Sequence, residues 1–184
     1  MTPRSLSLVA AALLLSALAV SLAAGAANTY PLPQHGRFQM EVPLAWIDEV
    51  RQPQGEVPPT IVLRPKEGNG FEVLVTPIWR QRPDVPLATK EAVRQSVQRA
   101  ADYRKSQAVE SSLPLVEFAG ASGPGFYFSA TDKTPGPGEY RYLTQGMLLV
   151  GELAVLFTIL TNDGQEQVKQ QALDMLKSAI HAQP

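Results

Sequence analysis

Residues Tyr140 to Thr161 read YRYLTQGMLLVGELAVLFTILT, the most apolar run in the body of the chain. The run reads as a long β-hairpin at the centre of a sheet. Gly151-Glu152 is the expected turn, because glycine suits the positive φ at the first central position of a type II′ turn. Beyond it, Leu153, Val155, Phe157 and Ile159 share one face, and Ala154, Leu156, Thr158 and Leu160 share the other. A strand apolar on both faces calls for cover on both sides.

The flanking segments supply that cover. After the hairpin, Asp163 is placed to cap a helix, with Glu166 three residues on as in a capping box. Val168, Ala172, Met175, Leu176, Ala179 and Ile180 make its apolar stripe. Before the hairpin, Leu113 to Phe118 and Gly125 to Ala130 read as strands, and Thr134 to Gly138 is a proline–glycine loop. An earlier helix starts after a Thr89 cap and buries Val93, Val97, Ala100 and Ala101, with the stem of Arg104. Before it come Thr60 to Pro65 and Phe71 to Pro77, joined through Asn69-Gly70, residues that tolerate positive φ. Phe71, Val73 and Val75 share one face of the second strand, and Ile61 and Leu63 are their expected partners. Arg37 to Val42 alternates, with Phe38, Met40 and Val42 on one face. Hairpins feeding helices predict an α+β fold: an antiparallel sheet of about six strands with helices packed on its faces.

Residues 1–26 have the parts of a Sec-type signal peptide: Arg4, an apolar run from Leu6 to Ala23, and Ala24-Gly25-Ala26 as cleavage signal, with the cut before Ala27. This predicts a periplasmic or secreted protein whose residues 27–184 form a single domain with no membrane span once the leader is cleaved. The alternative is an uncleaved anchor, since the run approaches the roughly 20 residues that cross a bilayer. The chain has no cysteine, so disulfides, thiolate metal sites and cysteine nucleophiles are excluded. A net charge of -1 argues against a nucleic-acid partner.

The search for chemistry is mostly negative. The two histidines, His35 and His181, stand near opposite ends of the mature chain in no metal-binding motif. Gly120-Ala121-Ser122-Gly123-Pro124 resembles a nucleophile elbow but has proline where the motif needs glycine, and a strand follows it rather than a helix. Gly68-x-Gly70 opens a strand, so it is a turn and not a phosphate loop. No catalytic residue, cofactor or metal ligand is expected. The remaining candidates are aromatic and basic residues at strand ends: Trp79 and Arg80 beside the linker that follows them, and Tyr140, Arg141 and Tyr142 beside the proline–glycine loop. Trp, Tyr and Arg are the usual stock of a recognition patch. The plainer alternative is that Trp79 covers a core edge and the tyrosines pack across the sheet.

The order of elements resembles the PsbP-like superfamily, shared with Ran-binding Mog-type import factors and a set of bacterial envelope proteins. The carrying stretches are FQMEVPLAWIDEV with Pro43-Leu44-Ala45-Trp46, the PTIVLRP and FEVLVTP pair, and YRYLTQGMLLVGELAVLFTILTND entering the last helix. The resemblance implies an antiparallel sheet with helices against its faces, and binding rather than catalysis. No binding residue of the superfamily matches here, so no photosystem, calcium or Ran role is carried over. The expectation is an exported accessory protein that contacts another envelope protein. The alternatives are a small-ligand or lipid binder, taking a small apolar ligand between sheet and helices, and a hydrolase using Ser122.

Overall fold

The computed structural model describes residues 25–55 and 57–183. The leader therefore lies outside the described residues, apart from Gly25 and Ala26. Those two open the first strand, β1 (Gly25–Pro31). The fold is α+β, with two antiparallel sheets and two helices among the described residues.

The larger sheet has seven strands. They are β3 (Trp46–Arg51), β4 (Thr60–Pro65), β5 (Glu72–Ile78), β6 (Val116–Ala119), β7 (Pro124–Thr131), β8 (Tyr142–Val150) and β9 (Leu153–Thr161). Their spatial order is β3-β4-β5-β9-β8-β7-β6, so the hairpin β8–β9 sits inside the sheet with strands on both flanks. The smaller sheet is β1-β2-β10, built from β1, β2 (Arg37–Pro43) and β10 (Ile180–Ala182). The expected single sheet of about six strands is thus exceeded. The sequence carries no strand pattern at β3, because five of its six residues are exposed, which leaves no apolar alternation. β10 is three residues long and exists only by pairing with β2, as Ile180↔Gln39 to Ala182↔Arg37.

The hairpin turns where expected. Val150 pairs with Leu153, and Gly151 has φ 59 while Glu152 keeps a negative φ, as a II′ turn requires. In the β4–β5 connection the left-handed residue is Gly68, φ 75, rather than Asn69 or Gly70. Gly146, inside β8, is a packing requirement: a Cβ there would sit 2.5 Å from the Phe157 ring and 2.6 Å from Tyr127 Cβ.

Two cores lie on opposite faces of the large sheet. On one face Leu153, Val155, Phe157 and Ile159 are buried with Ile61, Leu63, Val73 and Val75. They lie beneath Phe38, Met40 and Val42 of β2 and beneath α2 (Glu166–Lys177). Full burial of such side chains stabilises by about 1.5–3 kcal/mol each. On the other face α1 (Lys90–Arg104) sets Val93, Val97 and Ala101 against Phe126, Phe128 and Ala130 of β7. Because α1 covers β7 and β8, the second face of β9 is only half-buried, and the expected cover on both sides is complete on one face alone.

Thr89 caps α1 as expected, its hydroxyl accepting from the Ala92 N–H at 3.2 Å. Asp163 does not cap α2. The capping position falls to Gln165, whose side chain makes no capping bond and instead accepts from the Asn162 N–H at 2.9 Å. The α2 stripe gains Leu173 and loses Ile180, which is 43% exposed in β10. No helix of the described residues is long and apolar enough to cross a membrane.

Candidate functional site

The five candidate residues fall at opposite ends of the central hairpin. Trp79 follows Ile78, which pairs with Ala154 beside the turn, whereas Tyr142 pairs with Thr161 at the far end of β9. Seven residues of strand separate the two, roughly 23 Å. They form no single patch.

At the turn end, Trp79 is 7% exposed and belongs to the larger core. Its ring stacks on His35 with centroids 4.6 Å apart and planes at 23°. His181 joins them: its Nε2 donates to the His35 carbonyl oxygen at 2.7 Å, and its buried Nδ1 has no partner among the described residues. The two histidines, 146 residues apart in sequence, are thus neighbours. No group of three or more metal-ligating side chains occurs among the described residues. Arg80 is exposed, next to a hollow of about 260 Å³ shared with Arg82 and Glu152. Trp79 therefore closes a core edge and offers no exposed anchor.

The open end is different in kind. Arg141 is exposed, and its guanidinium stands 3.4 Å from Asp163 Oδ2 and 5.7 Å from the Tyr142 ring centre. Tyr142 donates its hydroxyl to Asp163 Oδ1 at 2.5 Å, and that bond raises the phenol above its ordinary pKa. Asp163 is thus the partner of the hairpin entrance, which is where its side chain went instead of to the helix cap. The Arg141 N–H donates to Asn162 Oδ1 at 3.1 Å, tying the two ends of the hairpin together. Tyr140 is half-buried, and its phenol is raised first by burial and then by the Glu72 carboxylate. It borders a hollow of about 380 Å³ that runs toward Arg104 at the end of α1.

A second hollow, about 330 Å³, opens on the other face between β7, β8 and the start of α2. The residues that point to it on the strands are hydroxyl-bearing: Ser129, Thr131, Tyr142, Thr144 and Thr161. Ser129 and Thr144 hydroxyls lie 2.8 Å apart, and Lys169 Nζ of α2 donates to Ser129 Oγ at 3.2 Å. Glu110 accepts from both the N–H and the hydroxyl of Thr131, at 2.9 and 2.7 Å. Burial pushes the Glu110 carboxyl up, but those two bonds outweigh it and hold the carboxyl below the usual range. Sequence reasoning missed this cleft, because Ser129 and Thr144 look like ordinary outward positions of alternating strands. The available signal was that hydroxyls occupy the rungs of a face whose other rungs carry Phe157, Val155 and Leu148.

Ser122 lies elsewhere. Its hydroxyl donates to the Ala179 carbonyl at 3.0 Å, and the Ala121 N–H donates to the Lys177 carbonyl at 2.7 Å. The glycine-rich turn thereby clasps the end of α2.

No family model matches the chain, and no curated protein matches it by sequence. Solved structures do match in shape. A crystal structure from Bacteroides thetaiotaomicron VPI-5482 superposes over 87% of this chain with a TM-score of 0.56 and 14% identity. This chain spans about half of that one, 49%. The solution structure of the cyanobacterial PsbP protein CyanoP, from Synechocystis sp. PCC 6803, matches 89% of this chain and 96% of its own, with a TM-score of 0.51 and 12% identity. At such identities the likeness speaks to architecture, and it agrees with the order of elements read from the sequence: the chain has a PsbP-like fold.

Proposed function

We propose that this protein is an exported, non-catalytic accessory module of the bacterial envelope that contacts another protein through the open end of its central hairpin. The observation that carries the reading is the group Arg141–Tyr142–Asp163 at the open end of the sheet, with Arg141 and Asp163 exposed and Tyr142 half-buried. Tyrosine and arginine are enriched among the residues that dominate protein interfaces. The leader pattern supports export, and the resemblance to the PsbP-like superfamily supports binding over catalysis. The partner is a protein rather than a nucleic acid, in keeping with the net charge of -1.

A photo-crosslinking residue at position 139, exposed and two residues before Arg141, tests this in living cells, with one at position 50 as control, since Val50 is 49% exposed on the edge strand β3, with β4, β5 and β9 between it and β8. The expected outcome is a discrete crosslinked band from position 139 alone. Equal or absent bands at the two positions across growth conditions sink the reading.

A second reading, small-ligand binding between sheet and helix, is favoured by the 330 Å³ cleft beside α2. Pockets for small molecules begin at about this size. The hydroxyl lining favours a polar ligand over the apolar or lipid ligand expected from the sequence.

A further inference from the structure

We infer that the cleft between β7, β8 and α2 is a binding site for a neutral saccharide of about one or two sugar rings, an inference that rests on the small-ligand reading above. The first ground is the switch in character along one sheet face. On that face β9 buries Val155 and Phe157 completely, yet toward the open end the rungs become Ser129 beside Thr144, and Thr131 beside Tyr142 and Thr161. Thr144 and Thr161 are the buried polar residues among those described, 4% and 7% exposed. A core that simply continued would place aliphatic side chains there, because burying a hydroxyl costs free energy unless it is bonded.

The second ground is Lys169. Lys169 is half-buried, and its ammonium donates to the neutral Ser129 hydroxyl and stands 5.9 Å from the Tyr127 ring centre. Among the described residues no carboxylate lies within 4 Å of it. Glu166, one turn earlier on the same helix, lines the cleft without pairing to it. Lys169 therefore keeps donor capacity directed into the cleft, and an ammonium has three donors to give.

The third ground is charge and donor–acceptor balance. Lys169 faces two carboxylates, Glu110 and Glu166, so the lining carries an excess of negative charge. That disfavours a phosphate or a carboxylate ligand, which would have to approach both carboxylates with one cation in compensation. A sugar needs both donors and acceptors, and the cleft has both: donors in the ammonium and hydroxyls, acceptors in Glu110, Glu166 and the Asn162 amide oxygen. Glu110 is held in place by Thr131, which fixes the direction of its remaining lone pairs. Tyr142 at the mouth supplies an aromatic surface for the apolar face of a sugar ring.

The test is a titration of the whole isotope-labelled protein, followed by its amide NMR spectrum. The probes are a panel of neutral mono- and disaccharides (glucose, galactose, N-acetylglucosamine, maltose, cellobiose), with gluconate as the anionic counterpart of glucose. The expected result is that at least one neutral sugar shifts amides of β7, β8 and the first turns of α2, and binds more tightly than gluconate. Lys169→Met and Glu110→Gln should each weaken that sugar by about tenfold or more, since each removes a charged hydrogen-bonding group. Spectra of the variants away from the cleft report whether they are folded, and Lys169→Met stands as the test if Glu110→Gln is not. Gluconate binding more tightly than every neutral sugar overturns the saccharide assignment and leaves the small-ligand reading standing. Silence from all probes at the cleft overturns both. Shifts that persist undiminished in a folded variant move the site elsewhere and overturn the assignment as well.

Discussion

The two ends of the central hairpin share the same pair of strands and differ in almost everything else. At the turn end, β2, β10 and the last residues of β5 converge: Trp79 is buried, His35 stacks on it, and His181 bonds to the His35 backbone. At the open end, the side chains are exposed or half-buried, they bond to one another through Asp163, and two hollows flank them. A tryptophan at one end and tyrosines at the other look alike in sequence. The difference is that the β1–β2 connection, at His35, and the C-terminal strand, at His181, pack against Trp79 and the turn, whereas Arg141 and Asp163 stay exposed at the entrance. Buried packing is thereby concentrated at one end, and the surface we propose for recognition lies at the other.

Substitutions that attack the packed end should therefore cost the most. Trp79→Ala removes a buried indole and the surface on which His35 stacks, and should lower unfolding free energy by about 3–5 kcal/mol in urea titrations. An effect near zero would mean that the two ends do not differ in this way. Gly146→Ala strikes the middle of the hairpin, forcing a Cβ against Phe157 and Tyr127, and should cost about 1–3 kcal/mol by overpacking. A stabilised variant would show that the strands can separate there. Next comes His181→Ala, which removes the bond to the His35 carbonyl and should cost about 1 kcal/mol, with protease sensitivity rising first at the C-terminal strand.

The open end predicts smaller effects of another kind. Glu110 has a carboxyl held below the usual range, so its bonds to Thr131 stabilise the fold above the ordinary glutamate value of about 4.3. That contribution is lost as pH falls through the lower folded value. The stability gap between the wild type and Glu110→Gln should accordingly narrow on acidification; a gap independent of pH would refute the role given to Thr131. Arg141→Ala should change stability by less than about 0.5 kcal/mol, because its pair with Asp163 is exposed on both sides, yet it should abolish the crosslink or capture that the wild-type entrance supports. A large stability loss from Arg141→Ala would erase the contrast between the ends.

Much of the scaffold was legible in the sequence. The hairpin and its turn, the facing of Ile61 and Leu63 with Val73 and Val75, and the Thr89 cap follow from period-two alternation, glycine geometry and a side-chain oxygen, all local in sequence. What escaped is what local pattern does not encode. β3 lacks alternation because it is an edge strand with exposed residues, and β10 is too short to leave a pattern. Asp163 was misassigned because capping was the only partner visible nearby, whereas the side chain turned to Tyr142, which lies beside it across the hairpin. The cleft was invisible for a related reason. Its lining comes from strands, a loop and a helix that meet only in space.

By itself the sequence determined the α+β class and the antiparallel hairpin at its centre, because burial periodicity and turn stereochemistry act over a few residues. It also carried the order of elements that matches the PsbP-like fold. Only the tertiary structure decided that the candidate aromatic residues lie at opposite ends, that the two histidines meet, and that a hydroxyl-lined cleft forms beside Lys169. Those facts depend on long-range packing, which sets distant residues side by side and which no short stretch of the chain can specify alone.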